Sequence, residues 1–220
     1  MSETCPILSL AHLDAEMLQL DIDTQIEYRC KTGRSMPLVD LRVVNEHMED
    51  IADGVQNSGE IVVRAPWLTQ GYLKDTRNSE NLWQGGYLHT GDVANKDHKG
   101  YIKITDRTKD VIKCGGEWIS SLELEDILSH HNAVSEVAVI AQPDEKWGER
   151  PLALIVVTTD TADTEDKPSK KEILALLHEY TDTGVISKQV ILTRVKFIEA
   201  IDKTSVGKVN KRLLREKHLD

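Results

Sequence analysis

Cysteine is scarce and poorly placed for cross-linking: the 220-residue chain has Cys5, Cys30 and Cys114, an odd number with no CxxC pair. That excludes a disulfide framework and a zinc knuckle and points to a reducing, cytoplasmic compartment. Basic charge is also in deficit. With 27 Lys and Arg against 37 Asp and Glu, the formal charge is −10 and the pI near 5.3. Phosphate neutralisation needs a basic surface, so non-specific nucleic-acid binding is excluded and any nucleotide contact must be local. No apolar run reaches bilayer length, and the first residues lack a basic stretch followed by an apolar one, so a soluble protein without a transmembrane segment is expected. His98, His130 and His131 have no companions at metal-ligand spacing. Two phosphate-binding fingerprints are missing as well. Gly115-Gly116 lacks GxGxxG spacing, and GxxxxGK[ST] is ruled out because position 202 is Asp and Lys208 precedes Val209.

What is present suits an ordinary globular chain, 40% hydrophobic and 29% charged, long enough for one large domain or two small ones. Met1 to Pro6 enters an apolar stretch with nothing before it to pack against, so the chain reads as the continuation of something longer. Val39 to Val44 alternates around Asp40 and Arg42, and Gly59 to Arg64 follows a turn with β-branched residues. Both predict strands. With Gly33, Pro37, Gly54, Gly71, Gly85 and Gly86 as punctuation, a β-rich subdomain poor in helices is expected up to about residue 105.

Beyond Asp110 the pattern changes. Ser120 with Glu123, and Ser169 with Glu172, form capping boxes for helices carrying Leu124, Ile127 and Leu128, and Ile173, Leu176, Leu177 and Tyr180. Glu123 and Glu125 are read as capping and solvent-facing. Val137 to Ile140 and Leu152 to Val157 are short continuous apolar runs, hence buried strands. Thr158 to Lys167 is acidic and without a large apolar side chain, which predicts an exposed loop. A strand at Val195 to Ile198 then precedes a Gly-Lys loop and a final helix with Leu213 and Leu214. The second half is therefore a compact α+β unit of ordinary domain size.

Four segments carry candidate chemistry. Asp92, after Thr90-Gly91, could grip a pair of vicinal hydroxyls such as those of a ribose, or simply satisfy its own turn. Arg107 offers a permanently charged fork suited to ribose or phosphate oxygens, or a surface ion pair with Asp106 or Asp110. Val111 to Ile119 reads as an alternating strand whose Gly115 and Gly116 let another backbone or a thin ligand approach, with Trp118 either at that surface or in the core. Lys208 could stabilise charge developing on a phosphoryl group, or be a solvated residue before a basic helix.

Taken together, these segments resemble the adenylate-forming (AMP-binding) enzymes. Trp83 to Asp92 is similar to the family's aromatic-glycine-aromatic stretch ending in Thr-Gly-Asp, and Lys203-Thr204-Ser205-Val206-Gly207-Lys208 to its terminal Lys-Thr-x-x-Gly-Lys signature. The likeness is nearest to the C-terminal portion of fatty-acyl-CoA synthetases and spans essentially the whole chain. It implies an α+β fold: residues 1–108 as the β-rich end of a large AMP-binding domain, and 109–220 as a small, mobile C-terminal domain. It implies an acid–thiol ligase using ATP, Mg²⁺ and coenzyme A on a fatty acid. By the same resemblance, Asp92 and Arg107 bind the ribose, Lys109 is the pivot of the C-terminal domain, and Lys208 serves acyl-AMP formation. Gly115, Gly116 and Trp118 line the coenzyme A channel, and Lys113 assists the thioester step. Ser2-Glu3-Thr4 resembles the segment in which an acid, here Glu3, holds Mg²⁺ and a hydroxyl, here Thr4, contacts the α-phosphate.

Two departures matter. Asp202 stands where proline is common, which leaves the Lys208 loop less stiffened. No stretch resembles the family's Ser/Thr/Gly-rich phosphate loop or its acyl pocket, so the resemblance implies that the reaction is only partly encoded and needs the N-terminal portion. The competing readings are a non-catalytic remnant or partner-binding module of the same fold, and a ligase for aryl or short-chain acids.

Overall fold

Alternation around Asp40 and Arg42 becomes a strand in the computed structural model, which describes residues 1–5, 7–158, 168–183, 186 and 188–219. The chain divides into two units, Met1–Lys109 and Asp110–Asp220. Beyond Thr158, the expected acidic loop lies outside the described residues. Among the described residues no helix is long and apolar enough to cross a membrane.

In chain order the first unit holds β1 (Ser9–Leu10), α1 (Ile22–Arg29), β2 (Arg34–Ser35), β3 (Asp40–Val44), β4 (Gly54–Arg64), α2 (Thr76–Leu82), β5 (Leu88–Lys96) and β6 (Ile102–Arg107). Strands β3 to β6 pair antiparallel in sequence order, and β1 pairs with β2. Ile61, Val63, Leu68, Leu82, Leu88, Ala94 and Ile102 form the core beneath the meander.

As expected, helices are scarce here: among the described residues the α-helices of this unit are the short α1 and α2. Hydrophobic periodicity misses them because α1 buries no side chain and α2 buries only Leu82. Their caps define them instead. Asp21 accepts from the Thr24 N–H at 2.9 Å, and Asp75 from the Asn78 N–H at 3.1 Å. Gln25 further anchors α1 by donating to the carbonyls of Leu18 and Leu20.

The second unit runs β7 (Ile112–Cys114), β8 (Glu117–Ile119), α3 (Ser121–Ser129), β9 (Val134–Asp144), β10 (Gly148–Val157), α4 (Lys170–Asp182), β11 (Arg194–Phe197) and α5 (Lys211–His218). Strand β10 is the hub. It pairs antiparallel with β9, meets β7 at Gly148, and lies parallel to β11 from Leu152 to Ile155. Parallel neighbours need a crossover connection, and α4 belongs to it. Side chains alternate across β10, so Ala153 and Ile155 pack with Ile173 and Leu177 of α4, while Leu152 and Leu154 pack with Leu214 of α5. Burying each large aliphatic side chain contributes about 1.5–3 kcal/mol before entropy is counted, which makes the β10 layers the anchor of this unit.

The capping reading holds at both helices: Ser120 accepts from the Glu123 N–H, and Ser169 and Glu172 make the full reciprocal box. Two expectations change. Val111 to Ile119 is a hairpin rather than one strand, because Gly115 and Gly116 take φ of 60° and 88°, the left-handed pair that a tight two-residue turn requires. Glu125 does not face solvent. Its carboxylate accepts from the Val139 N–H at 2.7 Å and pairs with Lys211 at 2.7 Å.

Candidate functional site

The Thr-Gly-Asp segment lies inside β5 rather than at a strand end, at an irregularity in its pairing with β4. His89 opposes Val62 and Val93 opposes Glu60, so Thr90, Gly91 and Asp92 bulge outward against Ile61 alone. Gly91, at φ 69°, makes the bend, and a bulge of this kind re-aims the side chain that follows. The Thr90 hydroxyl and the Gly91 and Asp92 amides are all engaged. The Thr90 hydroxyl donates to the Ile61 carbonyl at 2.8 Å and accepts from the Asp92 N–H at 3.1 Å, while Gly91 N–H donates to Glu60 at 3.1 Å.

Directly across the β5–β6 ladder from Asp92 stands Arg107, its guanidinium 2.9 Å from the carboxylate. The ion-pair partner of Arg107 is thus Asp92, not Asp106 or Asp110. Asp106 instead accepts from the Arg107 N–H, and Asp110 pairs with Arg215. Burial pushes the Asp92 carboxyl above the usual carboxylate range, with Arg107 pulling it back and Glu60 adding to the rise. Such a carboxylate gains from any further donor offered to it.

Arg107, Glu60, His89, Thr90, Gly91, Tyr72 and Glu3 border a cleft of about 670 Å³ in the first unit. Asp92 and Thr4 line an adjoining cleft of about 280 Å³ that shares Thr90 and Met1 with it. The Tyr72 hydroxyl donates to Glu3 at 2.8 Å, and this bond, after one from the residue's own backbone, holds the Glu3 carboxyl below its ordinary range. Glu3 is thus an ionised acid. No group of three or more His, Cys, Asp or Glu that could hold a metal occurs among the described residues. The ionised Glu3 carboxylate is by itself a hard oxygen donor, the kind of ligand that Mg²⁺ takes. Thr4 is buried, with its hydroxyl donated to the Met1 carbonyl at 3.0 Å.

Residue types alone did not mark Glu60 and His89 as site residues. The His89 ring presents Nδ1 to the Glu60 carboxylate at 2.9 Å and Nε2 to the Gln84 carbonyl at 3.1 Å. Both partners are acceptors, an arrangement that favours the imidazolium, with a proton on each ring nitrogen, over either neutral tautomer. The Glu60 hydrogen bond accordingly raises the His89 pKa above its ordinary value. A base with a raised folded-state pKa stabilises fully below its unfolded value of about 6.5 and loses that contribution as pH rises through the folded value. Unfolding midpoints of the wild type and Glu60→Gln, followed from about pH 5.5 to about pH 8.5, are expected to differ most at the acid end and converge at the alkaline end. A gap that widens with pH would disprove the imidazolium assignment.

In the second unit, Lys113 and Trp118 are cross-strand partners in the β7–β8 hairpin, and the Lys113 amine sits 5.1 Å from the indole centroid. Trp118 is half-buried, between the core and surface readings. Gly115 donates to the Trp147 carbonyl at 2.9 Å, and a Cβ on it would come within 3.1 Å of the Trp147 ring; a Cβ on Gly116 would meet nothing within 4 Å. Lys208 occupies a separate, tight hairpin. A bridge between Lys203 and Val209 closes it, Thr204 N–H donates to the Lys208 carbonyl at 2.7 Å, and the Thr204 hydroxyl accepts from the Lys208 N–H at 3.2 Å. Asp202, in place of proline, holds the hairpin base: its carbonyl accepts from Asn210 N–H at 2.8 Å and its carboxylate pairs with Lys217 at 2.7 Å. Lys109 is the last residue of the first unit.

Comparison with known proteins gives a consistent set of relatives. Residues 1–73 match the AMP-binding enzyme family and residues 123–208 the AMP-binding enzyme C-terminal domain. The chain is 36% identical to a long-chain-fatty-acid–CoA ligase of Thermus thermophilus over 99% of its own length and 39% of the ligase. It is 39% identical to a 3-methylmercaptopropionyl-CoA ligase of Ruegeria lacuscaerulensis over 100% of its length and 39% of that protein. Among solved structures, ATP-bound MatB from Rhodopseudomonas palustris superposes with a TM-score of 0.67 at 27% identity, covering 86% of this chain and 36% of that one. The chain spans 39% of the length of these curated relatives.

Proposed function

Because the chain belongs to the AMP-binding, adenylate-forming enzyme superfamily, we propose that it supplies the nucleotide-gripping and acyl-transfer parts of an acid–CoA ligase acting on a fatty acid. The observation that carries this reading is the Asp92–Arg107 pair, a desolvated carboxylate and a guanidinium set face to face by a strand bulge at the wall of a cleft.

In the first half-reaction a substrate carboxylate attacks the α-phosphate of ATP, forming acyl-AMP and releasing pyrophosphate. Asp92 accepts the ribose hydroxyls and Arg107 donates to ribose or phosphate oxygens. Glu3, kept ionised by Tyr72, would hold Mg²⁺, which neutralises phosphate charge when bound. Thr4 would reach the α-phosphate by exchanging its bond to Met1. Lys208 stabilises the charge that grows on the transferring phosphoryl group. In the second half-reaction the coenzyme A thiol attacks the acyl carbonyl carbon and AMP leaves. A turn at Lys109 exchanges the Lys208 hairpin for the Gly115–Gly116 hairpin over the same nucleotide. There the bare glycine backbone admits the pantetheine arm, Trp118 walls it, and Lys113 offers a cation to the incoming thiol.

The Thermus relative supports a fatty acid as the substrate, and the Ruegeria relative favours a shorter acid as the second reading. The test is a completion assay. The chain alone, given acid, ATP and coenzyme A, should form negligible acyl-CoA. Joined to the N-terminal portion of the Thermus ligase, it should support pyrophosphate exchange and thioester formation. Exchange absent from a joined protein that is folded would favour a non-catalytic binding module, and robust ligation by the chain alone would refute the half-site reading.

A further inference from the structure

Among the described residues, the most deeply placed cation of the second unit has no part in the chemistry above. Lys211, 9% exposed, is the first residue of α5 and directs its amine to Glu125 at 2.7 Å and to the Ser121 hydroxyl at 2.7 Å, both on α3. The Glu125 oxygen that receives it also accepts the Val139 N–H of β9 at 2.7 Å, and Ser121 is fully buried. One ammonium therefore joins the start of α5 to a helix and, through Glu125, to a strand. A lysine is rarely buried to this degree unless paired, and leaving either partner alone would strand a charge away from water.

The location gives the cluster its meaning. Only Val209 and the cap residue Asn210 separate Lys211 from Lys208, and Val209 closes the hairpin by its bridge to Lys203. Gly207 N–H to the Thr204 carbonyl at 2.9 Å, and Asn210 N–H to the Asp202 carbonyl at 2.8 Å, make the hairpin one piece with the helix start. Apolar contact such as that of Leu214 is non-directional. The Arg215–Asp110 and Lys217–Asp202 pairs also tie α5, but through more exposed cations, whereas three directional bonds are gathered around the buried Lys211 ammonium. We infer that Lys211 is a positioning residue: held by Glu125 and Ser121, it sets the orientation in which the Lys203–Val209 hairpin presents Lys208. The inference rests on the proposed role of Lys208 for its functional meaning, but the mechanical part stands without it.

The mechanical part is tested on the chain as it is, by backbone ¹⁵N relaxation. In the wild type the Gly207 and Lys208 amides should show order parameters near the rigid value of about 0.85; in Lys211→Met they should fall below about 0.6. Ser121→Ala, which removes one of the bonds and should fold readily, should move them in the same direction by a smaller amount. Ile173→Ala, which opens a cavity beneath α4 on the opposite face of the sheet, controls for general loss of stability and should leave the hairpin rigid. Hairpin order unchanged in both Lys211→Met and Ser121→Ala, or lost equally in Ile173→Ala, overturns the inference. In the completed enzyme, Lys211→Met should lower pyrophosphate exchange at least about tenfold while sparing thioester formation from preformed acyl-AMP. A loosened hairpin with undiminished exchange would overturn the functional half of the inference and the role given to Lys208, leaving the mechanical half standing.

Discussion

Lys208→Ala, in the chain joined to the N-terminal portion of a relative, is expected to lower the adenylation half-reaction by about 10²–10³-fold, the usual cost of removing one preorganised group that stabilises transition-state charge. The substrate carboxylate and the α-phosphate are both anionic, so charge concentrates at the reacting phosphorus as they approach. An ammonium placed there lowers the barrier, and its hydrogen-bonded hairpin means that little reorganisation is needed when reaction occurs. Thioester formation from synthetic acyl-AMP should be unaffected, since the phosphoryl chemistry is already complete. Lys208→Arg should remain strongly impaired, because a planar fork places its charge differently from a point ammonium. Lys208 is exposed, so thermal stability should hardly move. Pyrophosphate exchange, single-turnover thioester formation and an unfolding curve check these statements. Equal loss in both half-reactions would show that Lys208 acts on binding or folding rather than on phosphoryl transfer.

The second large effect is expected at Asp92. Replacing it with Asn keeps the shape of the bulge and removes the charge. A hydrogen bond to a charged group contributes about 1.5–3 kcal/mol, so loss of the ionic grip on a ribose should raise the KM for ATP by roughly 10–100-fold. Stability should respond differently. Burial raises the Asp92 pKa, so the ionised carboxylate is held at a cost, and its partner Arg107 is more than half exposed, where ion pairs contribute little. The Asn variant should thus unfold within about 0.5 kcal/mol of the wild type, or slightly later. A residue kept at some cost to the fold while strengthening ligand binding is what a binding role requires. ATP kinetics and denaturant unfolding on the same preparations decide the matter: marked destabilisation with unchanged KM would make Asp92 a structural residue.

Much of the second unit could be read in advance because its signals are local. Ser169 and Glu172 lie within one helical turn, and their reciprocal bonds form as the helix starts. The apolar run of β10 is continuous because helices cover both of its faces, and such a run needs no partner to be recognised. Helices α1 and α2 escaped for the opposite reason. They are defined by cap and side-chain bonds at their starts and bury almost nothing, so hydrophobic periodicity is silent about them. The double glycine advertised a special backbone, but the choice between an exposed strand and a turn depended on whether Lys113 could find Trp118 across a two-residue bend.

Residue chemistry and order along the chain were enough to nominate Asp92, Arg107 and Lys208, because charge, fork geometry and turn residues are properties of a few neighbours. Which nominated groups meet is a matter of strand register. Arg107 had Asp106 and Asp110 close in the chain, yet antiparallel pairing of β5 with β6 brings it to Asp92. Glu60 reaches His89 and the Gly91 N–H only because β4 and β5 lie side by side with a bulge between them. Glu125, which looks like a solvent-facing helix acid, is drawn inward because β9 and α5 each bring a donor to it. Composition and motifs therefore carried the nomination of these groups. Their partners, and with them the protonation and orientation of each, awaited long-range pairing, since a charge is governed by whatever the fold places within a few ångströms of it.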